Sequence, residues 1–196
     1  MKFNFDLTSR TENTYLEYRD MIENLLAEGK TTGNNHSEEM IGYTYMNVAR
    51  MNRLDKKAEI NDNLSSVIAA LPPQKWLVIS EAWCGDAAQN LPWLVKMSEL
   101  NSKIELSIVL RDDNIDIIDA FLTNGGRSIP KLIALNESNE VLFDWGPRPN
   151  DLQKTFFDLR REGLAYSEIS KTVHTKYSKD KGQELQKEFL EILSEE

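Results

Sequence analysis

Cys84 is the only cysteine of the chain and the residue best suited to covalent chemistry. It follows a short apolar segment, residues 75–80, whose β-branched and aromatic side chains are typical of a buried strand. It precedes apolar residues at helical spacing over 91–100. A helix that begins at Cys84 offers backbone N–H groups and a partial positive charge, which lower a thiol pKa below its free value of about 8.5. Such a position favours a thiol with a lowered pKa; the alternative is a buried cysteine that packs as a small hydrophobic side chain.

The elements around Cys84 predict an α/β domain. Two segments that resemble strands, 75–80 and 104–110, flank the helical repeat, and the connection is long enough for a parallel crossover. Reactive groups in open α/β sheets gather at the carboxyl ends of strands, where Cys84 lies. The remaining predicted elements are a helix over 115–122, hairpin strands at 131–135 and 140–145, and a helix over 150–161.

The period of the hydrophobic residues divides the chain into three parts. It changes from helical to strand-like at Pro72-Pro73 and returns to helical after the hairpin. Residues 1–70 are predicted as an N-terminal helical extension that includes the first helix of the fold, and residues 71–163 as the core. Residues 164–196 are predicted as a polar linker followed by a helix that docks on the core.

The N-terminal extension is predicted to contain three helices. Ser9 and Glu12 have the spacing of a capping box that precedes the first helix. Apolar residues at threes and fours over 37–71 predict two further helices with a break at 56–61. The sequence leaves open whether this extension covers Cys84 or packs on the far side of the sheet.

The turn at Cys84 resembles the active-site turn of the thioredoxin family. Residues 81–87 read Glu-Ala-Trp-Cys-Gly-Asp-Ala, and Pro92 stands where thioredoxins carry a proline that kinks the active-site helix. Residues 126–130, Gly-Arg-Ser-Ile-Pro, resemble the thioredoxin loop that contains a cis-proline, and residues 131–146 resemble the closing hairpin. The resemblance implies a thioredoxin-like fold, a central mixed sheet flanked by helices, with extra N-terminal helices and a C-terminal helix.

The chain departs from the family at residues that carry its redox chemistry. The second cysteine of the usual Cys-x-x-Cys motif is replaced by Ala87, so the chain has no thiol of its own to resolve a mixed disulfide. The buried acid of thioredoxins falls at Val78, which does not titrate. Asp86 replaces a proline, and its carboxylate disfavours a neighbouring thiolate. A complete thioredoxin cycle is therefore impossible without an external thiol.

The resemblance also implies the roles of the site residues. Cys84 is the expected nucleophile, a reactive and partly exposed thiol. The expected substrate-binding residues are Trp83, Gly85, Asp86, Ile129 and Pro130. In this interpretation Pro130 is a cis-proline, and the Ile129 backbone either pairs with an extended substrate or only shapes the loop. By analogy with the fold, Arg127 and Arg148 could approach the thiol, although a solvated surface position is the default for an arginine.

Composition limits the possible partners. The net charge of −9 and pI near 4.9 repel a polyanion, so nucleic acid is not expected. No apolar run approaches the ~20 residues of a membrane span, and no signal segment is visible, so we expect a cytoplasmic protein without a membrane partner. His36 and His174 lack second ligands at metal spacing. We expect no metal and no cofactor, except glutathione or another small thiol as a co-substrate.

Two functions remain open. The first is a single-cysteine thiol redox protein that forms mixed disulfides with a small thiol or a protein partner; it predicts that Cys84 alkylates at pH values where a free thiol is protonated. The second is a redox-inactive thioredoxin-fold binding or adaptor module. A third, cluster binding with glutathione as in some glutaredoxins, is disfavoured because Trp83 and Asp86 differ from that motif. The sequence identifies neither the substrate nor the oligomeric state.

Overall fold

One mixed sheet organises the part of the chain that the structure, a computed structural model, describes, residues 1–194. Its strands are β1 (Gln74–Ser80), β2 (Ile104–Leu110), β3 (Lys131–Leu135) and β4 (Val141–Trp145). The order across the sheet is β2-β1-β3-β4. β1 pairs in parallel with β2 and antiparallel with β3, and β3 pairs antiparallel with β4. The parallel crossover and the antiparallel hairpin are those that the sequence predicts.

Helices cover both faces of this sheet, which confirms the predicted α/β class. They are α1 (Tyr15–Ala27), α2 (Glu38–Lys57), α3 (Asp62–Ala70), α4 (Gly85–Glu99), α5 (Ile115–Ala120), α6 (Asn150–Arg161), α7 (Tyr166–Asp180) and α8 (Gln183–Ser194). Between residues 1 and 194, no helix is both long and apolar enough to cross a bilayer.

The central strand β1 is buried on both sides, which explains its almost unbroken apolar sequence. Trp76 and Val78 pack into a cluster that includes side chains of α1 to α4 and α8. Leu77 and Ile79 alternate with them and face a second cluster, built from α5, the N-terminal segment and Cys84. Burial therefore fixes the position of β1, and with it the turn that follows the strand.

The capping box at Ser9 and Glu12 is a wrong prediction. The first helix begins at Tyr15, and its capping box is formed by Thr14 and Glu17. Glu12 instead lies beside the sheet, where its carboxylate forms an ion pair of 2.8 Å with Lys75. Because Glu12 makes this long-range contact, it does not form the capping box that its spacing from Ser9 predicts.

The predicted linker after residue 163 is also wrong, because most of that segment forms α7. Ile169, Val173 and Tyr177 recur every four residues and pack in one cluster with Leu152 of α6. The predicted terminal helix is present as α8, and its apolar side packs into the main core. Residues 195–196 of the predicted third part lie outside the described chain.

Candidate functional site

Cys84 lies at the predicted place, directly after β1 and at the N-cap of α4. Its Sγ accepts a hydrogen bond from the Ala87 N–H at 3.4 Å, and its S–H donates to the Ile129 carbonyl oxygen at 3.2 Å. The Ile129–Pro130 peptide bond is cis. The structure thus brings together the turn and the loop that the resemblance to thioredoxins singles out.

The Cys84 thiol is buried, with only 8% of the residue exposed. Burial raises the pKa of the thiol to about 12, and the neighbouring charge of Asp86 acts in the same direction. The Ala87 and Asp86 N–H groups and the Arg148 charge lower the pKa but do not offset the loss of solvation. The prediction of a partly exposed thiol with a lowered pKa is therefore wrong.

Arg148 belongs to the site, contrary to the default of a solvated arginine. Its guanidinium binds the Asp86 carboxylate with Nη2–Oδ2 2.5 Å and Nε–Oδ1 3.1 Å, and both side chains are largely buried. The guanidinium carbon also lies 4.1 Å from the centre of the Phe156 ring. The Tyr177 hydroxyl donates to Asp86 at 3.0 Å. Asp86 is thus engaged in a charged network beside the thiol rather than free to bind a substrate.

Arg127, in contrast, lies on the solvent-exposed surface, as expected for most arginines. Its guanidinium forms a 2.6 Å ion pair with Asp119 on the exposed surface. It does not line the cavity at Cys84. Of the two arginines that the fold analogy suggested, only Arg148 therefore contributes to the site.

Helices α2 and α7 cover the turn and close a cavity above it. Asn47 of α2 is fully buried, and its side-chain N–H donates to the Ala82 carbonyl at 2.8 Å. The N-terminal extension therefore covers Cys84, which answers the question that the sequence leaves open. The cavity has a volume of about 240 Å³, and its lining includes Trp83, Cys84, Arg50, Arg148, Tyr166 and His174.

His174 is a site residue that the sequence analysis missed. Its Nδ1 lies 3.3 Å from the side-chain nitrogen of Gln89 on α4. Burial lowers the pKa of His174 to about 4, and the neighbouring Arg50 charge adds to this effect, so the imidazole is neutral near pH 7. The only signal in the sequence was the spacing of the apolar residues of α7, one every four positions, which indicates a packed helix rather than a linker. His174 lies on that helix.

Of the remaining predicted binding residues, two line the cavity and two are buried outside its lining. Trp83 lines the cavity, and the guanidinium carbon of Arg111 lies 4.8 Å from the centre of its ring. Gly85 begins α4, and a Cβ there would lie 2.7 Å from His174 Nε2, so a side chain at this position would displace the imidazole. Ile129 and Pro130 are buried. Within the described 194 residues, no group of three or more His, Cys, Asp or Glu side chains is placed to hold a metal ion.

The fold and the position of Cys84 define a thioredoxin-fold protein with one cysteine at the start of α4, directly after the central strand. The family model described as Thioredoxin matches residues 33–162, well over half of the sequence, and the chain therefore belongs to the thioredoxin family. This match begins before the predicted core boundary at residue 71, so the family region includes α2 and α3. A search of curated proteins finds no match.

Two solved structures share the fold over almost the whole chain. A protein of unknown function from Pseudomonas aeruginosa is 18% identical with a TM-score of 0.56, over 93% of this chain and 98% of that one. An HIV epitope scaffold is 18% identical with a TM-score of 0.55, over 94% of this chain and 99% of that one. At this identity the likeness concerns the fold alone.

Proposed function

We propose that the protein is a redox-inactive binding member of the thioredoxin family, in which the Cys84 thiol stays protonated and forms part of the wall of a small-ligand cavity. The observation that carries this proposal is the state of the thiol, which is buried, donates to the Ile129 carbonyl and has its pKa raised to about 12. Thiol–disulfide exchange needs the thiolate.

The raised pKa leaves little thiolate for exchange at neutral pH. At pH 7 a thiol with a pKa of about 12 is ionised in roughly one molecule in 100,000, against about 3% for a free thiol. Ala87 also leaves any mixed disulfide without an internal thiol to resolve it. Both properties favour binding over redox turnover.

The surroundings of the thiol favour a small ligand over an extended protein segment. Ile129 and Pro130 are buried, and the thiol already occupies the Ile129 carbonyl that an extended substrate would approach. The cavity of about 240 Å³ lies just below the range of about 300–1,000 Å³ that is typical of drug-sized ligands. A ligand of a few to about a dozen heavy atoms therefore suits it better than a peptide.

The test is the rate at which native Cys84 forms a mixed disulfide with glutathione disulfide at pH 7.5, followed by intact mass. The urea-unfolded chain serves as the control, because it contains the same thiol without burial. We expect the unfolded chain to be modified fully while the native chain stays unmodified. Modification of the native protein at the rate of the unfolded chain would contradict the proposal.

The second candidate is a single-cysteine thiol redox protein. It is favoured by one contact, the Ala87 N–H donated to Sγ, which would also stabilise a thiolate once formed. The thiolate would attack a small disulfide, form the mixed disulfide and release the other half as a thiolate. Ala87→Cys discriminates the two candidates: an internal disulfide and reduction of insulin with dithiothreitol support this candidate, whereas two free thiols support the first.

A further inference from the structure

We propose that the cavity above Cys84 binds a small anion, through a carboxylate or phosphate group that Arg50 and His174 recognise. This inference rests on the proposed binding function and specifies the chemical class of its ligand. Three observations carry it: a partly buried cation without a carboxylate partner, an imidazole N–H directed at the same place, and the absence of a side chain at Gly85.

Arg50 is the unpaired cation of the cavity. Its Nη1 donates to the Asn47 side-chain oxygen at 2.7 Å, but none of the ion pairs within residues 1–194 includes it. Burial lowers the pKa of Arg50, and the charge of Arg53 acts in the same direction. A guanidinium still carries its charge in such a place, so a partly desolvated positive charge faces the cavity. Guanidinium groups bind carboxylates and phosphates with charge-assisted hydrogen bonds.

The acidic side chains of the cavity do not take this role. Asp86 is bound by Arg148 through two hydrogen bonds and by Tyr177 through a third. Glu39 is exposed and accepts a hydrogen bond from the Tyr43 hydroxyl at 2.9 Å. The positive end of α4, at the floor of the cavity, adds to the charge of Arg50.

His174 supplies a second donor. The Gln89 side-chain amide nitrogen can only donate, so the His174 Nδ1 at 3.3 Å is the acceptor and the neutral ring carries its proton on Nε2. This Nε2 lies 2.7 Å from the position that a Cβ of Gly85 would occupy, and Arg50 Nη1 lies 3.5 Å from the same point. Two N–H donors thus converge above Gly85, next to the thiol, and the absence of a side chain at Gly85 lets the His174 imidazole lie this close to the start of α4.

The position of this anion site beside Cys84 permits a direct test with two alkylating agents of nearly equal size. Iodoacetate carries the carboxylate and iodoacetamide is its neutral counterpart. In both reactions the Cys84 thiolate displaces iodide, an S–C bond replaces the C–I bond, and the thiol proton goes to solvent. The ratio of the two rates at one pH therefore cancels the thiol pKa and reports recognition of the carboxylate.

We expect the iodoacetate-to-iodoacetamide ratio to be higher in the native protein than in the urea-unfolded chain. Arg50→Gln should lower the native ratio about tenfold, as expected for loss of a charge-assisted hydrogen bond. Gly85→Ala should also lower it, because the methyl group would lie 2.7 Å from His174 Nε2 and displace the imidazole. The matched control is Arg53→Gln, which removes the same charge from an exposed position of α2 and should change the ratio less than about twofold.

An unchanged ratio in Arg50→Gln, or an equal loss in Arg53→Gln, would overturn the inference. A measurement on the unmodified protein covers the case in which Arg50→Gln does not fold. At constant ionic strength, acetate or phosphate should slow alkylation by iodoacetate, and the more effective of the two identifies the group that the site prefers. If neither slows it, the inference is wrong. The glutathione experiment judges the redox-inactive function separately, because it compares the native and unfolded chain with one reagent, whereas the ratio compares a charged and a neutral reagent on the same protein.

Discussion

The pH dependence of Cys84 alkylation tests the physical reasoning on the thiol most directly. At pH 8 a free thiol with a pKa of about 8.5 is roughly one quarter ionised, whereas a thiol with a pKa of about 12 is ionised in roughly one molecule in 10,000. A more basic thiolate is the better nucleophile, and a Brønsted slope of about 0.4–0.5 recovers roughly 25- to 55-fold of that difference. Native Cys84 should therefore react roughly 50- to 100-fold more slowly than the unfolded chain.

The assay is iodoacetamide labelling between pH 7 and 11, in the native protein and in the urea-unfolded chain, with intact mass as the readout. The native rate should rise about tenfold per pH unit without a plateau, whereas the unfolded rate should level off above about pH 9. A native plateau at or below pH 8.5 would show that the start of α4 outweighs burial, and it would refute the reasoning. Because the pKa of Cys84 is raised on folding, its contribution to stability is complete below pH 8.5 and declines above it.

Three further perturbations test the surroundings of the thiol. Arg148→Met leaves the buried Asp86 without its cation and should cost about 3–5 kcal/mol in urea unfolding, most of which Asp86→Asn in the same chain should restore. His174, with its pKa lowered to about 4, contributes stability that is present above pH 6.5 and is lost as the pH falls towards 4, so His174→Gln should flatten the stability profile in that window by up to about 3 kcal/mol. Gly146→Ala should destabilise by more than about 2 kcal/mol, measured by thermal unfolding, because its Cβ would lie 2.1 Å from the Pro130 carbonyl oxygen at a φ of +122°.

The parts of the fold that depend on local patterns could be predicted from the sequence. β2 has the predicted bounds, residues 104–110, because its apolar run is short and clearly delimited. The break between α2 and α3 lies within the predicted 56–61, where Asn61 caps the next helix through a hydrogen bond from the Leu64 N–H. The parts that depend on distant partners could not be predicted. The Glu12 side chain binds Lys75, which is 63 residues away, and no local spacing contains that contact.

The same distinction applies to the site. The N-terminal position of Cys84 on α4 is a local property, so the sequence predicts the favourable N–H groups. The choice between Arg127 and Arg148 depends on which one reaches Asp86, and that contact spans 62 residues. From the sequence the two arginines are equal candidates. In the structure Arg127 pairs with a carboxylate on the surface, whereas Arg148 pairs with a largely buried one.

The pKa of Cys84 is raised rather than lowered because burial has a larger effect on it than the start of α4. The start of a helix contributes typically about 0.3–1 kcal/mol to a charge, which is less than one pKa unit, whereas burial of a titratable group shifts its pKa by up to about 3–5 units. Once α2 and α7 cover the turn, the larger effect decides, and neither helix lies near Cys84 in sequence. The resemblance in the turn alone therefore predicts the place of the thiol in this chain but not its ionisation, because the helices that set the ionisation come from outside the motif.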